Sequence, residues 1–559
     1  MLRIDGIKLK AKDDEATVLL KKIYMTLKCR NEDMTEWHIL KKSIDSRKTR
    51  NGEQCLHIVY SVAVKLTHEE IFLKKCSNPD IKPYKPVICE LPAAADIIRT
   101  HRKNNNGKRP IVCGSGPAGL FCAYFLARAG LNPIILERGK DVDQRSAEVD
   151  KFFKTGILNP ETNVQFGEGG AGTFSDGKLN TTLRDDTGRI RTVLETFVRF
   201  GAPEEILYLS KPHIGTDLLK NIIKNMRKEI ISLGGEFRFE NRLSDVLIDN
   251  GMITGVKVAN ASGNSDISCD TLILATGHSS RDTFRMLYKA GLFMEKKAFA
   301  IGVRIEHDQK MIDFCQYHLR ENSAALEAYN AGKLPPADYR VTYNTLDAKG
   351  VKRGVYSFCM CPGGFVVNAS SQKGYLTVNG MSNYKRNGRN ANSAIVISVT
   401  PDDFAGTPGY VDSPLAGICF QDYYEKKAYE SALGKIPVQL YGDFKQKRIS
   451  KGYGHITPAH MGENAFADIN KILPGKFSEL LKDGIQSFDR TIPGFADEEA
   501  VLSGLEMRTS SPLRILRDET MQSSVKGIYP AGEGAGYAGG ITSAAADGIK
   551  VAEILLARE

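Results

Sequence analysis

No stretch of this chain reaches the 18 or so consecutive apolar residues that a membrane-crossing helix needs. The first fifteen residues, MLRIDGIKLKAKDDE, lack the apolar core of a secretory signal. Both absences lead to the expectation of a soluble protein in the cytoplasm. Cysteine is scarce and odd in number, 11 in 559 residues, with no framework spacing. A disulfide scaffold is therefore excluded, and free thiols in a reducing compartment are expected. No cluster with metal-ligand spacing stands out, so no metal is expected. Charge of one sign is also missing from most of the chain. Residues 1–110 hold 23 Lys and Arg against 14 Asp and Glu, so nine of the ten net positive charges lie there. The remainder is nearly neutral, and a chain of this length has room for two or three domains.

Glycine is abundant, 52 residues, which fits several turns lying close to a ligand. The most informative of these lies between Arg109 and Arg138. The apolar run Ile111, Val112, Cys113 meets Gly114-Ser115-Gly116-Pro117-Ala118-Gly119. A helical segment from Leu120 to about Ala129 follows, then Gly130, then the apolar run Pro133 to Leu136, which ends at Glu137-Arg138. Strand, glycine turn, helix, strand and acid together define a dinucleotide-binding βαβ unit, a context that a bare G-x-G-x-x-G lacks. Gly114 makes the tight turn, Gly116 admits a pyrophosphate to the helix N-terminus, and Gly119 lets helix and strand pack closely. Glu137, 18 residues beyond Gly119, accepts from the two hydroxyls of an adenosine ribose. An acid at this position favours FAD or NAD over NADP.

Upstream, residues 1–95 read as a separate basic α+β domain. A strand at Leu2–Leu9, a helix at Asp13–Lys28, strands at Trp37–Ile44 and Leu56–Leu66, and a helix after Thr67 give β-α-β-β-α. The hairpin contains the turn Asn51-Gly52 and the basic residues Lys41, Lys42, Arg47, Lys48 and Arg50. Two readings stand: an anion or RNA contact, and a solvated hairpin tip, the latter favoured because aromatic interleaving is weak. A linker with Pro79, Pro83, Pro86 and Pro92, then polar from His101 to Lys108, leads into the βαβ unit.

Downstream, Asn163–Thr182 reads NVQFGEGGAGTFSDGKLNTT. Its formal G-x-G-x-x-G at Gly167, Gly169 and Gly172 is no second dinucleotide fold, because Ser175-Asp176-Gly177 breaks any following helix. It reads instead as a loop, Gly169 and Gly170 at its centre, lying against a flat cofactor. Asp176 and Lys178 either reach a substrate there or are a turn aspartate and a solvated lysine. A helix at Gly215–Leu233 and strands at Glu236–Phe239, Leu243–Ile248, Gly255–Ala259 and Thr271–Leu274 lead to Ala275-Thr276-Gly277. Residues 291–500 carry strand signals at Phe299–Glu306, Gly354–Phe358, Phe365–Val367, Tyr375–Val378 and Ala394–Val399, an inserted substrate or cap domain. It contains Cys359-Met360-Cys361-Pro362-Gly363-Gly364. Along a regular strand alternate side chains stand about 7 Å apart, too far for an unstrained disulfide, though the turn at Pro362 relieves this. The pair is either two small buried residues or a flavin-facing redox or substrate-contacting thiol. Near the C-terminus, Glu506–Arg514 brings Arg508 and Arg514 close to the glycine-rich segment Gly527–Ile541, suited to an anionic substrate or a pyrophosphate, or else to surface salt bridges. Gly527–Ile541 then opens the apolar helix Ile541–Ala557.

A strand ending in Ala275-Thr276-Gly277 downstream of the βαβ turn resembles the two-dinucleotide-fold flavoproteins of the glutathione-reductase-like superfamily. In that superfamily a late strand ending in Ala-Gly-Asp contacts the flavin ribityl chain, and the next helix points its N-terminus at the isoalloxazine. The resemblance places Gly532, Gly540 and Ile541 there, with Glu533 one methylene longer than the aspartate. The motifs GSGPAG…ER, QFGEGGAGTFSDGKLNT, PHIGTD, LATGHSSRD, CMCPGG, RTSSPLR and AGEGAGYAGGI resemble, over nearly the whole chain, the uncharacterised FAD-dependent, NAD-utilising dehydrogenases. The implied fold is α/β: a Rossmann-like FAD-binding domain (96–290 and 501–559), an inserted mixed β-sheet cap (291–500) and an N-terminal ferredoxin-like domain (1–95). The implied cofactor is noncovalent FAD, held by Gly114, Ser115, Gly116, Pro117, Ala118, Gly119, Glu137, Arg138, Gly169, Gly170, Thr276, Gly277, Gly532, Glu533, Gly540 and Ile541. His278, Cys113 and Cys122 are attachment points on paper only. The implied activity is hydride transfer between NAD(P)H or an unknown small-molecule substrate and flavin N5, with Cys361, Cys359 and Lys178 as catalytic candidates. With one convincing βαβ unit, a nicotinamide would bind only transiently. Two rivals are an FAD-dependent RNA-modifying enzyme and a non-catalytic redox-sensing or interaction module.

Overall fold

The computed structural model describes residues 1–47, 56–89, 108–347 and 350–557. The expected Asn51-Gly52 turn, Lys48, Arg50, Pro92 and the linker from His101 to Gly107 fall outside them.

In the N-terminal unit, four antiparallel strands lie in the spatial order Met34–Asp45, His57–Leu66, Leu2–Lys10, Ile81–Pro83. Alternation buries Leu2, Ile4, Ile7 and Leu9, with a register shift between Ile4 and Ile7. Helix Ala16–Leu27 presents Leu19, Ile23 and Leu27, one every four residues, to the same core. The edge strand Met34–Asp45 would be left with free backbone groups. It is covered: Lys42 N–H donates to Tyr208 O at 2.7 Å and Ser210 N–H to Lys42 O at 2.9 Å.

The second unit is a parallel five-stranded sheet in the order Ile528–Pro530, Leu272–Leu274, Ile111–Cys113, Ile134–Leu136, Glu236–Arg238. The four strands other than Glu236–Arg238 are three-residue apolar runs, fully buried, as a sheet covered on both faces requires. Val112, Ile135, Ile273 and Tyr529 point one way, onto helices Pro117–Arg128, Arg189–Arg199, Gly215–Ser232 and Ile541–Leu556. Their neighbours Ile111, Cys113, Leu136, Leu272 and Ile528 point the other way. There they meet the meander Arg242–Asp249, Met252–Asn260, Gly263–Ser268.

The cap is a seven-stranded sheet in the order Thr342–Leu346, Lys352–Cys361, Asn390–Val399, Phe299–Asp308, Val501–Glu506, Ile436–Leu440, Asn464–Phe466. Helices Ala416–Ser431 and Gly475–Phe488 pack on it, elements that the strand-rich reading of 291–500 missed. The strand expected at Tyr375–Val378 starts only at Val378 and runs to Met381, in a smaller sheet with Phe365–Asn368 and His460–Met461. One boundary is corrected. Val501–Glu506, expected in the FAD-binding part, is an interior cap strand between Phe299–Asp308 and Ile436–Leu440. The two crossings between the units run side by side, Met294–Lys296 paired antiparallel with Leu513–Ile515. Among the described residues no helix is long and apolar enough to cross a membrane.

Candidate cofactor and active site

The parallel sheet and the cap enclose a cavity of about 820 Å³. That is the size of a site for a large organic ligand. One end is built by the first βαβ turn. Gly114 has φ +103°, and a side chain there would stand 2.3 Å from Ala275 O. A side chain on Gly116 would meet nothing nearer than Gly170 Cα at 3.7 Å, so backbone borders open space at the start of helix Pro117–Arg128. Gly119 lies behind the cavity, where a side chain would reach 1.9 Å from Gly114 O. Its role is helix–strand packing.

The second glycine loop closes on the first. A side chain on Gly170 would come within 2.9 Å of Gly116 Cα. Buried Glu137 ties the two loops together. Its Oε2 accepts from Ser115 N (3.0 Å) and Ser115 Oγ (2.6 Å), its Oε1 from Gly139 N (2.9 Å) and Gly167 N (3.1 Å). These four donors use the roughly four lone-pair positions of a carboxylate. A ribose hydroxyl would therefore share Glu137 with Ser115, whose Oγ–H is free to rotate. Arg138 borders the same end, in a bidentate pair with Asp282 at 3.0 Å and stacked on Phe166.

At the middle of the cavity stand Thr276, Gly277, His278 and Glu533, and beside them the N-terminus of helix Ile541–Leu556 at Gly540 and Ile541. No side chain caps that terminus, so its first N–H groups and dipole face the cavity. Burial pushes the Glu533 carboxyl up to about 7, with Lys297 opposing. Burial, then Arg508 and Arg281, drives His278 down to about 3, so the ring is neutral. Its Nδ1 lies 3.8 Å from Glu533 Oε1, and its buried Nε2 has no protein partner.

The far wall is the cap. Lys178 donates to Asp176 at 2.5 Å and to Met360 O. Burial alone would raise the Asp176 carboxyl, but Lys178 and Arg386 outweigh it and hold it at about 2. Cys359 borders the cavity, whereas Cys361 is fully buried behind it. A hydrogen bond from Cys361, then the charges of Lys178 and Arg304, keep the Cys359 thiol well below the usual range. The same bond, and burial, push Cys361 up. Arg304 Nε donates to Glu506 Oε2 at 2.9 Å. Burial nevertheless raises Glu506 to about 7.

Several expectations need correction. Cys361, first among the catalytic candidates, has no face on the cavity. Gly169 packs against Thr173 and Ile223, and Gly532 against Ala118; neither borders the cavity, because both serve close approach of backbone. Arg508 is no free anchor for an anion: it makes a bidentate pair with buried Glu425 (2.9 and 2.7 Å), which Arg281 also contacts at 2.7 Å. Arg514 lies apart, beside Glu295 at 3.3 Å. In the basic hairpin, Lys42 is paired with Asp14 and Arg47 with Asp45. Glu506, Arg304, Arg386 and Glu425 went unread. A charge in the apolar run Phe299–Asp308 was a signal for Arg304; Glu425, in a helix with little amphipathic pattern, gave none.

The cradle fits a dinucleotide: glycine backbone where side chains would clash, a carboxylate at the strand end, and a second helix N-terminus farther along. Residues 109–147 match the model of a FAD binding domain, and residues 298–509 that of the C-terminal domain-like region of FAD-dependent proteins. Residues 1–65 match a domain of unknown function. The chain therefore belongs to a family of FAD-dependent proteins, with FAD as its cofactor. Within that family it is 46% identical over 560 residues to an uncharacterised protein of Clostridium beijerinckii, spanning 99% of this chain and 98% of the relative. Similar solved structures include a geranylgeranyl bacteriochlorophyll reductase-like protein from Thermoplasma acidophilum (11% identity, 80% of this chain, 78% of that one, TM-score 0.34). They also include a flavoprotein/dehydrogenase from Cytophaga hutchinsonii (12% identity, 80% and 78%, TM-score 0.33). Likeness at that level adds nothing to the family assignment.

Proposed function

We propose that this flavoprotein is a dehydrogenase that passes hydride between NAD(P)H, or a small organic substrate, and flavin N5. The observation that carries the reading is the continuity of the cavity from Glu137 and the glycine loops to the cap residues Cys359, Glu506 and Arg508. FAD, when bound, supplies two-electron chemistry that no side chain here supplies. Glu137 and Ser115 hold the adenosine end, Gly116 and Gly170 give room for the pyrophosphate, and the free N–H groups at Gly540–Ile541 favour negative charge beside the ring. Against burial, Asp176 keeps Lys178 cationic, and Lys178 so offers positive charge at the cap side. His278, kept neutral by burial, lines the cavity beside Glu533 without adding a charge there.

Among the described residues only one parallel sheet of dinucleotide-binding order occurs, which supports transient binding of a nicotinamide at the cap side. We further read residues 1–83 as a ferredoxin-like domain, a reading supported by the antiparallel sheet order and by two intervening helices. The test is an anaerobic flavin-reduction screen with NADH, NADPH and a metabolite panel. Bleaching of the flavin by at least one of them is expected. A flavin that none of them reduces would leave the protein a non-catalytic redox module.

A further inference from the structure

Cys359 is a non-glycine residue at φ +43°, and the register of its strand slips between Phe358 and Cys361 against Asn390–Val399. In a regular strand the two sulfurs would share a face at about 7 Å, beyond disulfide reach. The bulge breaks that spacing. The slip turns Cys361 back on Cys359, and Cys361 Sγ donates to Cys359 O at 3.3 Å.

Backbone strain of this kind persists where the surroundings over-determine it, and it gathers at functional sites. Here Arg304 fixes the bulge. Its Nη1 donates to Cys359 O at 3.2 Å and Asn392 Oδ1 at 2.7 Å, and lies 4.0 Å from Cys361 Sγ. Lys178 holds Met360 O from the other side. Cys359 borders the cavity, and Cys361 lies fully buried behind it.

We propose that Cys359 and Cys361 form a redox-active dithiol that exchanges an electron pair with the FAD across this cavity. The proposal rests on the oxidoreductase reading of the same site. In the oxidising direction Cys359 enters as thiolate and Cys361 as thiol. The S–S bond forms as the Cys361 S–H bond breaks, the sulfurs lose two electrons, and oxidised FAD gains them together with one proton. The negative charge moves from Cys359 to the reduced flavin, so atoms and charge balance without another reactant.

The test uses the holoprotein, oxidised with diamide, freed of it, and titrated anaerobically with dithionite while flavin absorbance is followed. The wild type should consume one electron pair more per FAD than Cys361→Ser, whose flavin alone is reduced. Mass spectrometry of the alkylated peptide spanning Cys359 and Cys361 gives a readout that needs neither a variant nor activity. Before titration the peptide should be two hydrogens lighter and unalkylated; after it, both cysteines should carry the label. A peptide that alkylates on both cysteines after diamide overturns the proposal, as does a disulfide that stays intact once the flavin is bleached. Both of those results leave the FAD reading standing. A preparation whose flavin takes up no electrons sinks the two readings together.

Discussion

At the scale of single residues, Glu137 does more than meet a ribose. Its carboxylate gathers donors from both glycine loops, so its loss removes charge-assisted hydrogen bonds and the tie between Ser115 and Gly167. Glu137→Ala should weaken FAD binding by about 1.5–3 kcal/mol, the size of hydrogen bonds to a charged group. Fluorescence titration of apoprotein with FAD measures it, and an unchanged affinity would refute the role. Buried carboxyls also set a pH profile. Glu168, Glu506 and Glu533 are each pushed by burial from 4.5 to about 7. Between those values the fold holds protons that the unfolded chain has released, so these groups make stability fall as pH rises. Asp176, Asp403 and Glu425, held at about 2 by neighbouring cations that outweigh burial, act oppositely. Their contribution is complete above the ordinary carboxylate range and is lost as pH falls towards 2. Between pH 5 and pH 7 His278 and His307, pushed by burial down to about 3 and about 4, also act in the opposite sense to the three raised carboxyls. The expected outcome is therefore a difference: over that range the urea midpoint of Glu533→Gln should change less downward than that of the wild type. An identical slope in the variant would show that Glu533 does not titrate there.

At the scale of elements, helices Pro117–Arg128 and Ile541–Leu556 cross where both have small residues. A side chain on Gly548 would stand 2.1 Å from Ala118 O, a backbone atom that cannot turn aside. Gly548→Ala should destabilise the protein by about 1–3 kcal/mol, as overpacking does. Gly475, the first residue of its own helix, meets nothing within 4 Å and has no positive φ. Gly475→Ala should be neutral or stabilising by up to about 1 kcal/mol. Equal effects at the two sites, measured by denaturant midpoints, would show that helix crossing is not what constrains Gly548. Elements of this kind were legible where local rules suffice. The βαβ unit is local: three-residue apolar strands, a glycine turn and a terminal acid lie within 30 residues. The chemistry of Cys359 was not, because the bulge is seen only once Asn390–Val399 pairs with its strand. Nor was the fate of Arg508, whose partner Glu425 is 83 residues away in the chain.

At the scale of the whole molecule, the chain leaves the parallel sheet for the cap after Lys296 and returns at Leu513. The expected return at 501 was early, because Val501–Glu506 looks like any buried strand and only its neighbours assign it to the cap. The segment beyond Leu513 completes the FAD unit: strand Ile528–Pro530 pairs with Leu272–Leu274, and helix Ile541–Leu556 covers the sheet beside Pro117–Arg128. Truncation after Ser524 would leave all seven strands of the cap sheet in place while removing Glu533, Gly540 and that helix. Five large apolar side chains go with it: Ile541, Ile549, Val551, Leu555 and Leu556, all buried. At 1.5–3 kcal/mol each, that burial is worth roughly 7–15 kcal/mol, comparable to the whole stability of a domain. The truncated chain should therefore hold no FAD, and limited proteolysis should digest residues 108–290 while the cap resists. Ile541→Pro would be a poor substitute for this test, because proline is tolerated in a helix's first turn. A truncated protein that resists protease throughout and still carries stoichiometric FAD would show that the cofactor's site is complete without the C-terminal helix.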